Sequence, residues 1–372
     1  MILSSQGLRD VIFGEKPMIQ TREARAIDEK QIQPASLDLR LGGRVHSMKT
    51  AGLPSANQTV EEYIGTCVYD MSHLKPGEYF ILSPNVCYLI PLEETLCLSP
   101  RHYATFSPKS SIGRCGIFAR IVCNNHTAYD RTPLGYEGPL YLEITSFIFR
   151  VCVIAGLSLM QMRIVAEETS ISAQELEQFH SRNGVLFDKK GMALDWKDFV
   201  TKDNRLLFRI DLDRDVVGFE AIETAPETLS LFQGASCKVS DFWRPIPRPP
   251  NGRLILRGNG FYLLATKEYV RIPKECCAEI VPYDVNLGEF RTHYAGFFDN
   301  GFGGEKGTAA VLEVHLMDTN FGFFDGQVIC SMVFQKTDMV PDKLYGKDNS
   351  SNYTNRGPSL SKFFKGRESE WR

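Results

Sequence analysis

The same series of short apolar segments occurs twice in this chain, and this repetition limits its possible fold more than any other feature. Residues 259–266 resemble residues 76–83. Further matches join Ile90-Pro91 to Ile272-Pro273, Pro108 to Pro282, residues 141–144 to 311–314, and residues 159–162 to 329–332. A repeat this consistent predicts a duplicated domain. The length of 372 residues also exceeds what one ordinary core accommodates.

Within each copy the segments are short, and several alternate between apolar and polar residues. From Leu37 to Leu41 the leucines share one face, while Asp38 and Arg40 share the other, which predicts a half-buried strand ended by Gly42. Many short strands between Gly and Pro turns predict a β-barrel or a β-sandwich. Further strands of the first copy are expected at residues 78–82, 87–90, 102–106, 117–122, 139–145, 151–154 and 159–165.

Helices are expected to be few and short. Ser4 or Ser5 can cap a helix that ends near Ile12, and a capping box at residues 172–175 begins another that ends near Arg182. Residues 43–73 are polar and are expected to form an irregular surface segment. The predicted units are a first repeat at residues 1–166, a connector with a helix at 167–215, a second repeat at 216–340 and a C-terminal segment at 341–372.

Composition restricts the class of protein. A hydrophobic content of 43% with 23% charged residues is typical of a soluble globular chain. A net charge of −3 gives no electrostatic reason to expect nucleic acid as a partner, and no apolar run suggests a membrane span or a signal peptide. The ten cysteines form no C-x-x-C pair, which indicates reduced thiols in a cytoplasmic protein.

One turn combines the residue types that bind anions. Pro108 ends a predicted strand, and Ser110 and Ser111 then lie between Lys109 and Arg114. Successive backbone N–H groups in such a turn form a concave anion site, to which the two cations add charge. By itself the segment is also compatible with an ordinary solvated turn.

Two motifs together resemble a known family. Residues 33–42, Gln-Pro-Ala-Ser-Leu-Asp-Leu-Arg-Leu-Gly, and residues 110–114, Ser-Ser-Ile-Gly-Arg, are similar to the deoxycytidine triphosphate deaminases of the deoxyuridine-triphosphatase superfamily. The double-length form found in some bacteria is the most similar, and the resemblance covers nearly the whole chain outside the connector. It implies a mainly β fold of two tandem distorted dUTPase-like β-barrels with a few short helices. It also implies hydrolysis of dCTP to dUTP and ammonia without zinc, for synthesis of dUMP and thymidylate.

The two repeats depart from the family pattern in complementary ways. The second repeat keeps an alanine, Ala295, followed by Asp299, Phe302 and the later Glu313, but its phosphate turn has become residues 282–286, which include an aspartate. The first repeat keeps the phosphate turn but has no clean counterpart of the alanine and aspartate pair. Because each site of this superfamily combines the turn of one subunit with the pocket of another, the resemblance implies one composite site, with the turn from repeat one and the pocket from repeat two.

The resemblance also assigns roles. Glu313 would be the general acid and base, and Ser110 and Arg114 would orient the water and the carboxylate. The residues expected to bind substrate are Lys109 and Ser111 for phosphate, His293 and Ala295 for the cytosine edge, Asp299 for the sugar 3′-hydroxyl, Phe302 for exclusion of a 2′-hydroxyl, and Tyr345 and Arg356 in a C-terminal lid. By local sequence alone, Glu313 could be a solvent-facing strand residue, Phe302 a core aromatic, His293 structural and the tail disordered.

The resemblance further implies Mg²⁺ bound through the triphosphate, no metal site in the protein and a homo-oligomer, with a homotrimer favoured by the usual grouping of superfamily barrels in threes. Two alternatives remain. A diphosphatase of the same superfamily would need a pocket tyrosine and a tail of the form R-G-x-x-G-F-G-S, whereas this chain has Phe302 and Arg356-Gly357-Pro358. The other alternative is a regulatory protein that binds nucleotide without catalysis.

Overall fold

The computed structural model describes all residues except 23–24, 76, 167, 202, 283–289, 293–294, 317, 347–352, 354–356, 367–370 and 372. The fold is mainly β, as predicted, and its α-helices are short. The helices of the described part are α1 (Ser5–Phe13), α2 (Val60–Cys67), α3 (Ser110–Gly113) and α4 (Ala173–Asn183). Ser4 caps α1, and Ser172 caps α4 in a capping box with Glu175, so both predicted helices are confirmed.

The first half forms one large sheet and two smaller ones. Its strands are β1 (Ile19–Thr21), β2 (Leu37–Arg40), β3 (Arg44–Met48), β4 (Val68–His73), β5 (Phe80–Leu82), β6 (Cys87–Cys97), β7 (Tyr103–Pro108), β8 (Ile117–Cys123), β9 (Glu137–Ser146), β10 (Val151–Val153) and β11 (Ser158–Val165). The large sheet has the order β4-β3-β6-β9-β8, with β1 paired to β6. The order of the second sheet is β2-β11-β7, and β5 pairs with β10 in the third.

The second half repeats this arrangement. Its strands are β12 (Leu186–Phe187), β13 (Leu206–Arg209), β14 (Val216–Ala221), β15 (Leu229–Ser230), β16 (Cys237–Lys238), β17 (Trp243–Pro247), β18 (Arg253–Leu256), β19 (Phe261–Val270), β20 (Cys276–Pro282), β21 (Phe290–Thr292), β22 (Phe297–Phe298), β23 (Thr308–Leu316), β24 (Phe321–Phe324), β25 (Val328–Lys336) and β26 (Phe364–Lys365). Its main sheets have the orders β17-β14-β19-β23-β21 and β13-β25-β20-β22, and β12 pairs with β19. The short pairs β18-β24 and β16-β26 complete it, and β15 joins β10 of the first half.

Strand register corrects part of the sequence match between the halves. Glu143 of β9 pairs with Leu89 of β6, and Glu313 of β23 pairs with Leu263 of β19, so β19 is the counterpart of β6. The match of residues 259–266 to 76–83, and with it the Ile-Pro match, is therefore wrong by one strand. Short apolar segments that follow a glycine resemble one another, and only long-range pairing fixes their register.

The strand at residues 37–41 is buried on both faces, and the prediction of a half-buried strand is wrong. Arg40 is 4% exposed because Glu94 accepts from its Nε at 2.7 Å and from its backbone N–H at 2.8 Å. The second half repeats this pairing: Glu268 accepts from Nε of Arg209 at 2.6 Å and from its backbone N–H at 2.7 Å. Burial of a charged side chain is tolerated when its partner is fixed in this way. Residues 206–209, which the sequence analysis placed in the connector, thus form a strand of the second half.

The expectation of an irregular segment at residues 43–73 is also wrong. This segment contains β3, α2 and β4, and Thr59 and Glu62 form a reciprocal capping box at the start of α2. Val60 and Ile64 of α2 are buried against β6 and β9. The polar composition reflects the outer face of the helix and the exposed edge strand β4.

The two halves share one apolar core. The larger buried cluster joins strands of the first half to Trp243, Phe261 and Leu263 of the second half, and Phe364 of the C-terminal segment also belongs to it. A second cluster fills the interior of the second half. All ten cysteines are free thiols, and seven of them are buried. No helix in the described part of the chain is long and apolar enough to span a membrane.

Candidate active site

The predicted anion turn is one turn of helix at the boundary between the halves. Pro108 is the last residue of β7 and pairs with Met160 of β11, and Lys109 precedes α3 with its backbone N–H bound to the Leu159 carbonyl at 2.9 Å. Ser111 is buried, whereas Ser110 is half-buried. The strand end and the buried Ile112 side chain therefore fix the serine pair at a defined position.

A cavity of about 540 Å³ lies between this turn and the second half. It contains the described residues of the predicted composite site, drawn from both halves and from the C-terminal segment. The lining residues include Lys109, Ser110, Ser111 and Arg114 from the first half, Ala295, Asp299, Phe302 and Glu313 from the second, and Tyr345 from the C-terminal segment. His293 and Arg356 lie outside the described residues.

Glu313 is buried against the first half rather than directed to solvent. It lies on β23, is 2% exposed, and accepts a hydrogen bond from the backbone N–H of Ala295 at 3.1 Å. Gly113 of α3 approaches the carboxyl so closely that a Cβ there would lie 2.6 Å from Oε1. The site thus requires glycine at position 113, because any side chain there would displace the carboxylate.

A second contact fixes the two halves beside Glu313. The backbone N–H of Gly296 donates to Oγ of Ser107 at 2.9 Å. The segment that follows Ala295 is therefore tied to the end of β7, immediately before the phosphate turn. This buried hydrogen bond between the halves helps to fix the distance between the turn and the pocket.

Asp299 and Phe302 also line the cavity. Asp299 is 7% exposed, and burial raises the pKa of its carboxyl, an effect that the nearby Arg163 guanidinium opposes. Phe302 packs edge-on against Phe298, with ring centroids 4.9 Å apart, and against Tyr345 at 5.3 Å. Phe302 is thus both a core aromatic and part of the cavity wall, so the two interpretations of this residue are compatible.

The cavity is rich in cationic side chains. Lys30, Lys109, Arg114, Lys343 and Lys362 all line it. Lys109 forms an ion pair with Asp38 of β2, a residue that also lines the cavity. This concentration of positive charge in a protein of net negative charge favours a polyanionic ligand.

The C-terminal segment covers Arg114. Nη1 of Arg114 donates to the Ser359 carbonyl at 2.6 Å, and its guanidinium stacks on the Tyr353 ring at 4.0 Å. Oγ of Ser361 donates to the Ser111 carbonyl at 2.7 Å. Beyond this, β26 pairs with β16, so the described part of the tail is docked, and the disordered tail expected from composition alone is wrong for it.

The equivalent acid of the first half, Glu143, has a different environment. Its Oε2 accepts from the backbone N–H of Gly52 at 2.9 Å and from the Tyr129 hydroxyl at 3.3 Å. Burial raises the pKa of the Glu143 carboxyl, and these two donors lower it. Residues of the first half itself therefore fill the position that corresponds to the Glu313 site.

A larger cavity, of about 850 Å³, lies beside the first one, between the connector and the second half. Glycines and solvent-facing lysines line it, together with Tyr345, which the two cavities share. It contains none of the predicted catalytic residues. Within the described residues, no cluster of three or more His, Cys, Asp or Glu side chains is placed to hold a metal ion.

Sequence reasoning missed several residues of the site. Two of them, Ser107 and Arg163, contact the second half, and Asp38 lines the cavity. In the local sequence each of the three has only the pattern of a polar residue on a strand. Tyr353 lies in a polar tail whose composition gives no sign of docking. A signal was present for Asp38, which belongs to the motif at residues 33–42, and for Ser107, which directly precedes Pro108 of the anion turn.

Comparisons with known proteins agree with the geometry. The family model for the N-terminal domain of 2′-deoxycytidine 5′-triphosphate deaminase matches residues 2–168, and the model for its C-terminal domain matches residues 172–364. The crystal structure of 2′-deoxycytidine 5′-triphosphate deaminase from Agrobacterium tumefaciens superposes with a TM-score of 0.83 at 31% identity, over 93% of this chain and 98% of that one.

The alignments with curated relatives cover a smaller part of this chain. The dCTP deaminase of Halorubrum lacusprofundi is 31% identical over 118 residues, which are 32% of this chain and 55% of that protein. The dCTP deaminase, dUMP-forming, of Methanobrevibacter smithii is 27% identical over 190 residues, which are 51% of this chain and 91% of that protein.

Proposed function

Because the chain belongs to the 2′-deoxycytidine 5′-triphosphate deaminase family, we propose that it hydrolyses dCTP to dUTP and ammonia in the cavity between its two halves. The observation that carries this proposal is the burial of Glu313 against Gly113, with the Ser110 turn and the Ala295 segment on either side. A carboxylate enclosed between an anion turn and an apolar wall suits acid–base chemistry on a nucleotide.

Glu313 would move both protons of the reaction. The carboxylate takes a proton from water as the water oxygen bonds to C4 of cytosine, and passes it to N3. The second water proton then reaches the amino group, the C4–N bond breaks, and ammonia leaves with the bond electrons. These reaction steps require no metal to activate the water, because the carboxylate serves as general base and then as general acid.

The neighbouring groups would hold the reacting atoms. Ser110 and Arg114 orient the water, and support for the second assignment comes from the Arg114 Nε, which is buried without a hydrogen-bond partner among the described residues. Backbone groups around Ala295 and His293 would bind the cytosine edge. Asp299 would accept from the 3′-hydroxyl, and Phe302 would occupy the space that a 2′-hydroxyl needs.

Phosphate binding would use the cationic part of the cavity. Lys109 and Ser111 lie on the turn, and Tyr345 and Arg356 belong to the C-terminal segment that we propose closes over the triphosphate. Mg²⁺ would arrive with the substrate as its counterion. Lys30, Lys343 and Lys362, which sequence reasoning did not select, support a triphosphate at this position because they line the same cavity.

We also propose that zinc is not required. Nucleobase deaminases that use zinc carry a P-C-x-x-C element and a third ligand, and this sequence has no such element. Ammonia release should survive a tight zinc chelator when Mg²⁺ is supplied. Loss of activity that zinc alone restores would contradict this expectation.

A homo-oligomer of three chains would satisfy the threefold grouping that the resemblance implies.

A second candidate reaction continues to dUMP. The relative from Methanobrevibacter smithii carries the name dUMP-forming, and the alignment covers 91% of that protein and 51% of this chain. That reaction would release pyrophosphate from the dUTP product before it leaves the site. The two reactions share the deamination step and differ only in the second hydrolysis.

One experiment separates these possibilities. Purified protein is incubated with dCTP and Mg²⁺, and ammonia, pyrophosphate, dUTP and dUMP are quantified in the same samples. Ammonia and dUTP in equal amounts support the proposal, whereas ammonia with equimolar pyrophosphate and dUMP supports the second candidate. Pyrophosphate without ammonia would indicate a diphosphatase, and binding without any product would indicate a regulatory protein; either result would overturn the proposal.

A further inference from the structure

Arg163 is a charged side chain of the first half that is buried entirely in the second. It lies on β11, is 0% exposed, and extends across the boundary to the strand pair β20-β22. Nη1 donates to the Ala278 carbonyl at 3.1 Å, and Nη2 donates to the Phe298 carbonyl at 3.0 Å. Ala278 and Phe298 are directly paired residues of this strand pair, so one guanidinium holds both strands.

The remaining contacts of Arg163 place it next to Asp299, outside the cavity lining. Its guanidinium stacks on the Phe297 ring at 4.0 Å, and Gln335 accepts from Nη1 at 3.3 Å. Nη2 lies 3.5 Å from Oδ1 of Asp299, an ion pair longer than a normal charged hydrogen bond. That Oδ1 atom is buried and has no hydrogen-bond partner among the described residues, although Asp299 lines the cavity.

This geometry separates charge compensation from hydrogen bonding. The Nη groups donate to two backbone carbonyls and to Gln335, whereas Nε of Arg163 and Oδ1 of Asp299 are both buried without a hydrogen-bond partner among the described residues. The guanidinium therefore offsets the charge of Asp299 without occupying the oxygen that faces it. We infer that Arg163 is a positioning residue, which fixes Asp299 from the opposite half of the chain and keeps its carboxylate available to accept a sugar hydroxyl. The inference rests on the proposed function, because it concerns the sugar end of the same cavity.

Electrostatics supports the same role. Burial raises the pKa of Asp299, and the charge of Arg163 opposes this rise. Among the described residues, the other charged or titratable groups that interact with Asp299 are Lys109 before α3, Asp38 on β2 and Cys277 on β20, while Glu279 of β20 faces Arg163. Of these, Asp38 raises and Lys109 lowers the pKa of Asp299. Removal of Arg163 would leave a buried acid that favours its protonated form, and a protonated acid is a weaker acceptor.

The test compares dCTP with 2′,3′-dideoxycytidine triphosphate, which lacks the 3′-hydroxyl. Binding is measured by calorimetry in the Glu313→Gln background, so that deamination is slow during the titration and the result does not depend on the reaction proposed. With Arg163 present, dCTP should bind about tenfold to a hundredfold more tightly than the dideoxy analogue, the range for a hydrogen bond to a charged group. Arg163→Met should reduce this ratio to near one, mainly by weakening dCTP.

Controls distinguish positioning from folding. Asp299→Asn should reduce the ratio by itself, and adding Arg163→Met to it should reduce the ratio little further. Arg163→Lys keeps the charge with fewer donors, should retain an intermediate ratio, and serves if Arg163→Met fails to fold in a thermal melt. With Arg163 present, the preference for dCTP should decline as pH falls through the folded pKa of Asp299, and raising the pH should restore part of the preference that Arg163→Met has lost.

Two results would overturn the inference. If Arg163→Met and Arg163→Lys weaken both nucleotides by the same factor, Arg163 supports the fold and does not position Asp299. If the protein with Arg163 binds both nucleotides equally, Asp299 is not the acceptor for the hydroxyl. Failure of the proposed reaction would appear differently, as dCTP binding without ammonia release by the unmodified protein.

Discussion

At the scale of single residues, Glu143 and Glu313 show that the same side chain can have different roles in different surroundings. Both acids occupy the same position in equivalent strands, and both are buried. Glu313 faces a cavity shared with the phosphate turn, whereas Glu143 faces Gly52 and Tyr129 of its own half. Sequence alone finds both acids, but only long-range packing shows that their surroundings differ.

This contrast gives a matched pair of isosteric variants. Glu313→Gln should lower the rate of ammonia release by at least about 10²–10⁴, the usual contribution of a general acid–base group, while dCTP still binds. Glu143→Gln should retain most of the activity, because this side chain accepts structural hydrogen bonds, and should at most lower the melting temperature. Steady-state rates and calorimetric binding of both variants check the prediction. An inactive Glu143→Gln with an active Glu313→Gln would move the catalytic acid to the first half.

At the scale of elements, the sequence predicted most of the structure that depends on local signals. The caps of α1 and α4 and the strand before the phosphate turn follow from nearby residues. The polar face of β2 is buried because Arg40 pairs with Glu94. These residues are 54 positions apart in the chain, and the local sequence pattern does not predict pairing over such a separation. The strand mismatch between the repeats has the same cause, since register depends on which strands pair.

The C-terminal segment is the element whose position the sequence predicted least. Tyr353→Ala should raise the KM for dCTP about twofold to thirtyfold, the range for a cation–π contact of 0.5 to 2 kcal/mol, because Arg114 loses the ring that covers it. Tyr353→Phe is the matched control: it keeps the ring and loses only the hydroxyl that accepts from the Lys362 N–H at 3.3 Å. Steady-state kinetics of both variants test this. Equal effects of the two changes would assign the role to the hydroxyl and not to the ring.

At the scale of the whole molecule, duplication allows the halves to specialise. In the described residues, the first half supplies the phosphate turn and Arg163, and the second half supplies Glu313 and Asp299. The shared apolar core and the cross-repeat hydrogen bond from Gly296 to Ser107 fix these groups relative to each other. The described residues of the proposed site therefore come together within one chain.

This division predicts one working site per chain. Around Glu143, the Gly52 backbone and the Tyr129 hydroxyl already occupy the carboxylate. The turn that would serve this position lies outside the described residues, and its Asp284 would repel a triphosphate at close range. Titration of dCTP into the Glu313→Gln protein should thus reach close to one nucleotide per chain, with the same stoichiometry after a further Glu143→Gln change. A value near two that falls to one in the double variant would show a second site at Glu143, and specialisation of the halves would then be incomplete.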